Sequence, residues 1–274
     1  MKLSRLVVVA ACALLAGCGT PPVAGKPPAT FAPAELVLRV FTSGGLLPMS
    51  AAVTALPEIS VYGDGRAITT GATPAIYPGP ALPNLQVKRL APAEVAELAR
   101  RALAAGVGNG EDTGTPGVMD APSMRITVRT EAGLVSTVVA APGFEDDSLS
   151  GAQRAARQRM KDLVTDLWVA AGGDQRPAAY EPARIAAVAT EWQASGSDLP
   201  SDPPAVQWPG DAALPGPALP DRTSVRCVDV AAGPVLAAAK GANMRTPWVS
   251  GGSRWLVQFR PLLPDETSCL ELNR

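Results

Sequence analysis

The sequence predicts an α+β fold: antiparallel hairpins packed with two main helices, plus a C-terminal strand-rich part with one short helix. Three observations predict it. Alternating apolar and polar residues recur in paired runs joined by Gly-containing turns, which is the pattern of antiparallel hairpins. Two longer windows, beginning at Pro92 and Ser150, carry apolar residues at helical spacing instead. The strands come as hairpins around these helices, not one strand per helix as a parallel sheet requires. Of the 274 residues, 47% are apolar, which is enough to bury a core.

In chain order, Leu36, Leu38 and Val40 alternate with Val37, Arg39 and Phe41, a strand that Gly44-Gly45 ends. Ile59 to Tyr62 and Arg66 to Thr69 flank Gly63-Asp64-Gly65, and glycine there tolerates the positive φ of a tight turn. Asp64 alone lacks the several oxygens calcium needs, so the turn reads as structure. Residues 71–85 hold Pro74, Pro78, Pro80 and Pro83 with Ile76, Tyr77 and Leu82. This apolar loop either packs over a sheet edge or offers a contact surface. Pro92 opens a helix with Val95, Leu98, Ala102 and Leu103 on one face, stopped near Gly106.

Glu111, Asp112 and Asp120 lie in the loop 108–121, but their spacing fits no EF-hand, and no metal site is assigned. Met124, Ile126 and Val128 alternate with Arg125, Thr127 and Arg129, and Leu134 to Ala140 forms the partner strand after Glu131-Ala132-Gly133. Ser150 and Gln153 have capping-box spacing for a helix to about Ala171, ended by Gly172-Gly173. Its apolar stripe is Ala156, Met160, Leu163, Leu167 and Ala171. Arg154, Arg157 and Lys161 form a basic row, expected as a solvated face, with anionic headgroups or cell-wall polymer as the alternative.

Beyond Tyr180 an extended run covers Ile185 to Thr190. A Pro-rich insertion, 195–221, follows, expected to lie over the fold and be pinned by Trp208. The last part reads as a strand from Val225 to Val230, a short helix opening at Pro234, and a hairpin whose arms, Thr246–Val249 and Trp255–Phe259, join through Gly251-Gly252.

Several function classes are excluded. The chain has 0 histidines, which removes Ser-His-Asp and Cys-His centres and His-ligated zinc or haem. A formal charge of −1, without a basic block, leaves no footprint for nucleic acid. Serine-hydrolase elbows, Ser-x-x-Lys pairs and P-loops are missing. Two carboxylates acting on a glycan remain open, and no catalytic residue or cofactor is assigned.

Met1, Lys2 and Arg5 precede an apolar run, Leu6 to Ala16, too short to span a bilayer. It leads into Leu15-Ala16-Gly17-Cys18, which resembles the lipobox of bacterial lipoproteins; with its Ala-, Gly-, Pro- and Arg-rich composition the chain is similar to actinobacterial envelope lipoproteins. The resemblance implies a signal peptide over 1–17 and fatty acylation (palmitate-type) of Cys18. Two or three acyl chains anchor durably where one is marginal. Residues 18–34, lipidated cysteine and Pro-rich tether, then space the folded part from the membrane. An α+β domain is expected over 35–173 and a second part over 174–274, packed on the first. Cys12 leaves with the signal peptide, so Cys227 and Cys269 are the thiols left to the folded part; outside the cytoplasm they are expected to pair, with a free thiol or a two-cysteine metal site as alternatives.

The function expected is therefore an extracytoplasmic binding or protein-interaction module on the cell membrane. Its contacts with an envelope protein or hydrophobic ligand are placed at Tyr77, Leu82 and Trp208. The alternatives are a carboxylate-dependent enzyme acting on glycans and a purely structural envelope component.

Overall fold

A computed structural model describes residues 25–28, 30–172, 177–194 and 201–272. The expected signal peptide, 1–17, and Cys18 lie outside the described residues. The elements are β1 (Leu36–Gly44), α1 (Met49–Thr54), β2 (Ile59–Tyr62), β3 (Arg66–Thr70), β4 (Leu85–Arg89), α2 (Pro92–Ala104), β5 (Pro122–Thr130), β6 (Gly133–Ala140), α3 (Gly151–Gly172), β7 (Ala178–Ala179), β8 (Arg184–Glu191), β9 (Val206–Gln207), β10 (Ala218–Leu219), β11 (Arg222–Ala231), α4 (Ala232–Ala239), β12 (Pro247–Ser250) and β13 (Ser253–Pro261). A 3₁₀ turn, Cys269–Glu271, closes the described chain. The fold is α+β.

The strands form two sheets. A seven-stranded sheet runs β6-β5-β1-β2-β3-β4-β7, antiparallel throughout. A six-stranded sheet runs β10-β11-β8-β13-β12-β9 and is antiparallel except for the pairing of β9 with β12.

The first sheet owes its core to two periodicities meeting. Val95, Leu98, Ala99 and Ala102 of α2, with Met160, Leu163, Leu167 and Ala171 of α3, bury against Val40, Ile59, Val61, Ala67, Ile126, Val128 and Val139. Val37 and Leu38 both enter this core although they are consecutive, because the register with β2 shifts between Leu36 and Leu38; a bulge turns two neighbours to one face. The cap of α3 is reciprocal: Gln153 N donates to Ser150 Oγ at 3.2 Å and Ser150 N donates to Gln153 Oε1 at 2.7 Å, satisfying two orphan amides.

The second sheet is built differently. β8 reads Ile-Ala-Ala-Val-Ala, with Ile185, Ala187 and Ala189 in one cluster and Ala186 and Val188 in the other. Small side chains leave room that large ones fill. Trp248 and Phe259 meet edge to face at 5.3 Å, and Trp208 stacks on Phe259 at 6.3 Å, geometries that aromatic quadrupoles favour. Val235 and Ala239 of α4 close this core. The insertion supplies both edges of the sheet, β9 on one side and β10 on the other.

Between the sheets, Leu36, Tyr62, Ile68 and Leu85 pack with Leu263, Leu56 and Tyr180. Arg260 is fully buried beside this seam; its guanidinium grips Glu266 at 2.5 and 2.8 Å and donates from Nε to Ala55 O at 3.2 Å. A buried charge persists when its donors are met in this way.

Five elements carry no signal in the sequence. α1 has six residues, too few to show a helical period, β4 follows a proline-rich stretch that masks it, and β7, β9 and β10 have two residues each, too few to alternate. One expectation is corrected. Arg157, placed in a solvated basic row with Arg154 and Lys161, is only 4% exposed. Its Nη1 donates to Thr113 O and Ala140 O and its Nη2 to Ala141 O and Phe144 O, at 2.6 to 3.3 Å. The side chain gathers carbonyls from the loop before β5, the end of β6 and the turn that follows, a set that no helical wheel brings together.

Candidate functional site

Of the three residues expected to make external contacts, the loop between β3 and β4 holds Tyr77 and Leu82 and the insertion holds Trp208, and the structure divides their roles. The base of that loop pairs with the segment after α4: Ala81 N donates to Ala242 O at 3.2 Å, Met244 N donates to Gly79 O at 2.9 Å, and Pro80 forms a bridge with Asn243. This docking puts Leu82 and Trp208 against the same aromatic core. Trp208 Nε1 donates to Ala212 O at 2.7 Å and its backbone N to Val249 O at 2.9 Å, so the indole serves the fold of the insertion. Tyr77 stands clear, 61% exposed, beside Ile76 at 64%, and Met244 near Gly79 is also exposed. Ile76 and Met244 escaped the sequence argument; Ile76 shared the apolar loop with Tyr77, whereas Met244 lies 167 residues away and no local pattern joins it.

A second concave region lies on the face of the first sheet turned away from α2 and α3. Phe41 and Ser43 of β1, Arg125 and Thr127 of β5 and Leu134 of β6 form its floor, and Asp265 to Leu272 with Arg222 form a wall, around about 840 Å³. Arg39 is the hinge between floor and wall. It donates to Tyr62 Oη at 3.0 Å and to Asp265 Oδ1 at 2.8 Å, and the Tyr62 hydroxyl donates to the same carboxylate oxygen at 2.7 Å. Burial works against the Arg39 charge, but the fields of Tyr62 and Asp265 outweigh it and its pKa is raised. Burial also pushes the Tyr62 phenol far up, with Arg39 opposing and Asp265 assisting. Tyr62 therefore stays protonated as a donor.

The groove holds three carboxylates, Asp265, Glu266 and Glu271, where a glycan-cleaving enzyme would need a pair. Each is engaged within the fold: Asp265 by Arg39 and Tyr62, Glu266 by Arg260 and Leu263 N, Glu271 by the Thr267 hydroxyl. These carboxylates hold the C-terminal wall in place.

Cys227 and Cys269 form a disulfide, with Cα atoms 6.4 Å apart. Asp229 lies within 4.8 Å of both sulfurs and accepts from Ser268 Oγ at 2.9 Å and Cys269 N at 2.8 Å. The grouping is thus the covalent staple and its support. The acidic loop ahead of β5 is structural as well. Asp112 accepts from Gly114 N and Gln153 Nε2, both at 2.8 Å, which lowers its pKa, and Glu111 pairs with Arg159. Among the described residues no helix is long and apolar enough to cross a membrane. No protein-family model matches this chain, and no curated protein matches it in sequence.

Proposed function

We propose that the chain is a membrane-anchored extracytoplasmic lipoprotein, tethered through Cys18, that acts as a binding or protein-interaction module of the cell envelope. The signal-like N-terminus and the Leu15-Ala16-Gly17-Cys18 motif support the location, and the disulfide accords with an oxidising compartment. One observation carries the activity: Ile76 and Tyr77 are exposed on a loop whose base is paired to the second half of the molecule. An apolar tip held in place loses little conformational freedom on binding, so more of its contact energy appears as affinity. The partner this surface fits is an envelope protein with an apolar recess.

The experiment is photocrosslinking in intact cells from a reactive side chain replacing Tyr77, with a second probe replacing the exposed Glu131 as the control. A specific adduct from position 77, lost on Ile76→Ala, is the expected result. Unchanged partners after Tyr77→Ala and Ile76→Ala in a folded protein would refute the contact. Recovery of Cys18-bearing protein in the soluble cell interior would refute the location.

A further inference from the structure

We infer that the end of the first sheet carrying the β2–β3 turn and the β5–β6 turn faces the bilayer, while the Ile76–Tyr77 loop is presented away from it. The inference rests on acylation of Cys18 as proposed above. Its structural basis is where the chain after Cys18 first meets the fold.

Composition alone predicts a free spacer over 18–34, yet residues 25–28 and 30–34 lie on the protein. Glu131 N donates to Lys26 O at 3.1 Å, and Lys26 Nζ pairs with Glu131 at 3.4 Å. Phe31 packs against the aliphatic core of the first sheet. Asp64 N donates to Pro33 O and Gly63 N to Glu35 O, both at 3.0 Å. The fit at Gly63 is tight: a Cβ there would sit 2.1 Å from Ala32 O, so only glycine admits the strap. Residues 25–28 and 30–35 thus cross the two turns at one end of the sheet.

Between Cys18 and Gly25 there remain residues 19–24. Whatever their conformation, seven Cα steps span at most ~25 Å at roughly 3.3–3.6 Å each. The acyl chains must therefore enter the bilayer within that reach of the β5–β6 turn. The opposite ends of the strands are remote from it; the nine residues of β5 separate its ends by about 25 Å at roughly 3.3 Å per residue. The loop holding Ile76 and Tyr77 leaves β3 and enters β4 at Thr70 and Leu85, the paired ends opposite Gly65. Charge gives this orientation little drive. At the bilayer-facing end Lys26 pairs with Glu131, Arg66 with Asp64 at 2.7 Å and Arg129 with Glu35 at 3.1 Å, and the exposed Arg89 reaches the same Asp64 at 3.9 Å, so most of these cations are matched by carboxylates.

Two measurements test this separately from acylation. In the full-length Cys18→Ser chain, Gly25→Cys with Thr130→Cys places two Cβ atoms 3.5 Å apart, within disulfide range. Mild oxidation should join them, as peptide mapping will read, while Gly25→Cys with Ala75→Cys should not join. Loss of the first crosslink overturns the docked strap whether or not Cys18 is acylated. In the acylated protein on phosphatidylcholine vesicles, a donor dye at Ala132→Cys should transfer energy to a lipid acceptor, with a loss of transfer for the dye at Ala75→Cys. Equal or reversed transfer overturns the orientation and leaves the anchor standing. Failure of the Cys18 protein to float with vesicles, with the Gly25–Thr130 crosslink intact, removes the anchor and the orientation together.

Discussion

The two halves of the molecule solve the same packing problem with different materials. The first sheet buries many aliphatic side chains of similar size under α2 and α3. The second has an alanine-rich central strand and fills the space with Trp248, Phe259 and Trp208, brought from three separate segments, then fastens its end with the Cys227–Cys269 disulfide. In the first half stability is spread over many residues, and in the second it is concentrated in few. Regular periodic elements can share a load evenly, while a sheet covered by short helices, eight residues in α4 and six in α1, needs large wedges and a covalent link.

The sharpest way to break this comparison is Trp248→Ala against Leu98→Ala. The tryptophan deletion should cost about 3–5 kcal/mol in urea unfolding, and more than the leucine deletion in the first half. A smaller loss at Trp248 would end the idea of a concentrated core. Replacing both cysteines by alanine should cost about 3–4 kcal/mol, since the bridge closes a 42-residue separation and constrains the unfolded chain. If instead the stability is unchanged, the staple is redundant to the aromatic wedge.

In the first half, Arg157→Lys tests whether a single polar device matters within an aliphatic region. One ammonium has three donors for four carbonyls, so a loss of roughly 1–3 kcal/mol is expected, with the exchange rate of amides near Ala141 rising. A neutral result would show that water replaces the guanidinium freely.

The seam between the halves predicts an alkaline response. Burial raises the Tyr62 phenol and pushes Tyr180 up to about 12, where Arg66 works against the shift. The folded state thus holds these protons more tightly than the unfolded chain, whose tyrosines titrate near 10. Their stabilisation is complete below pH 10 and fades as pH rises through about 12. Tyr62→Phe with Tyr180→Phe should flatten that decline in a pH series of melting temperatures. The smallest effect belongs to Tyr77→Ala, which at 61% exposure should change stability by less than about 0.5 kcal/mol. A larger loss would mean that the loop tip supports the fold and would weaken its claim as a contact surface.

Legibility followed the same division. The β2–β3, β5–β6 and β12–β13 hairpins were readable because their alternation and turn glycines are local, and Gly65 adopts the φ of +86° that its turn demands. The helices α2 and α3 were readable because each presents several turns of apolar spacing. Of the contact candidates, Tyr77 was readable as a residue of an unusually apolar loop. Trp208 was readable as the pin of the insertion; that it would share one aromatic cluster with Leu82 was not, because the cluster is assembled from β12, β13 and the insertion. The groove was hidden for the same reason: Arg39 and Asp265, which join its floor and wall, are 226 positions apart.

By itself the sequence determined the kinds of elements, the turns that join them, the exclusion of imidazole chemistry and the two thiols left to pair in the folded part. Each of these depends on neighbours within a few residues or on simple composition. Tertiary structure alone decided that Arg157 and Arg260 lie buried, that the insertion supplies both edges of the second sheet, and that the strap from Gly25 crosses the turns of the first. Those outcomes depend on polar and backbone groups far apart in sequence, and chain folding, not local pattern, brings such groups together.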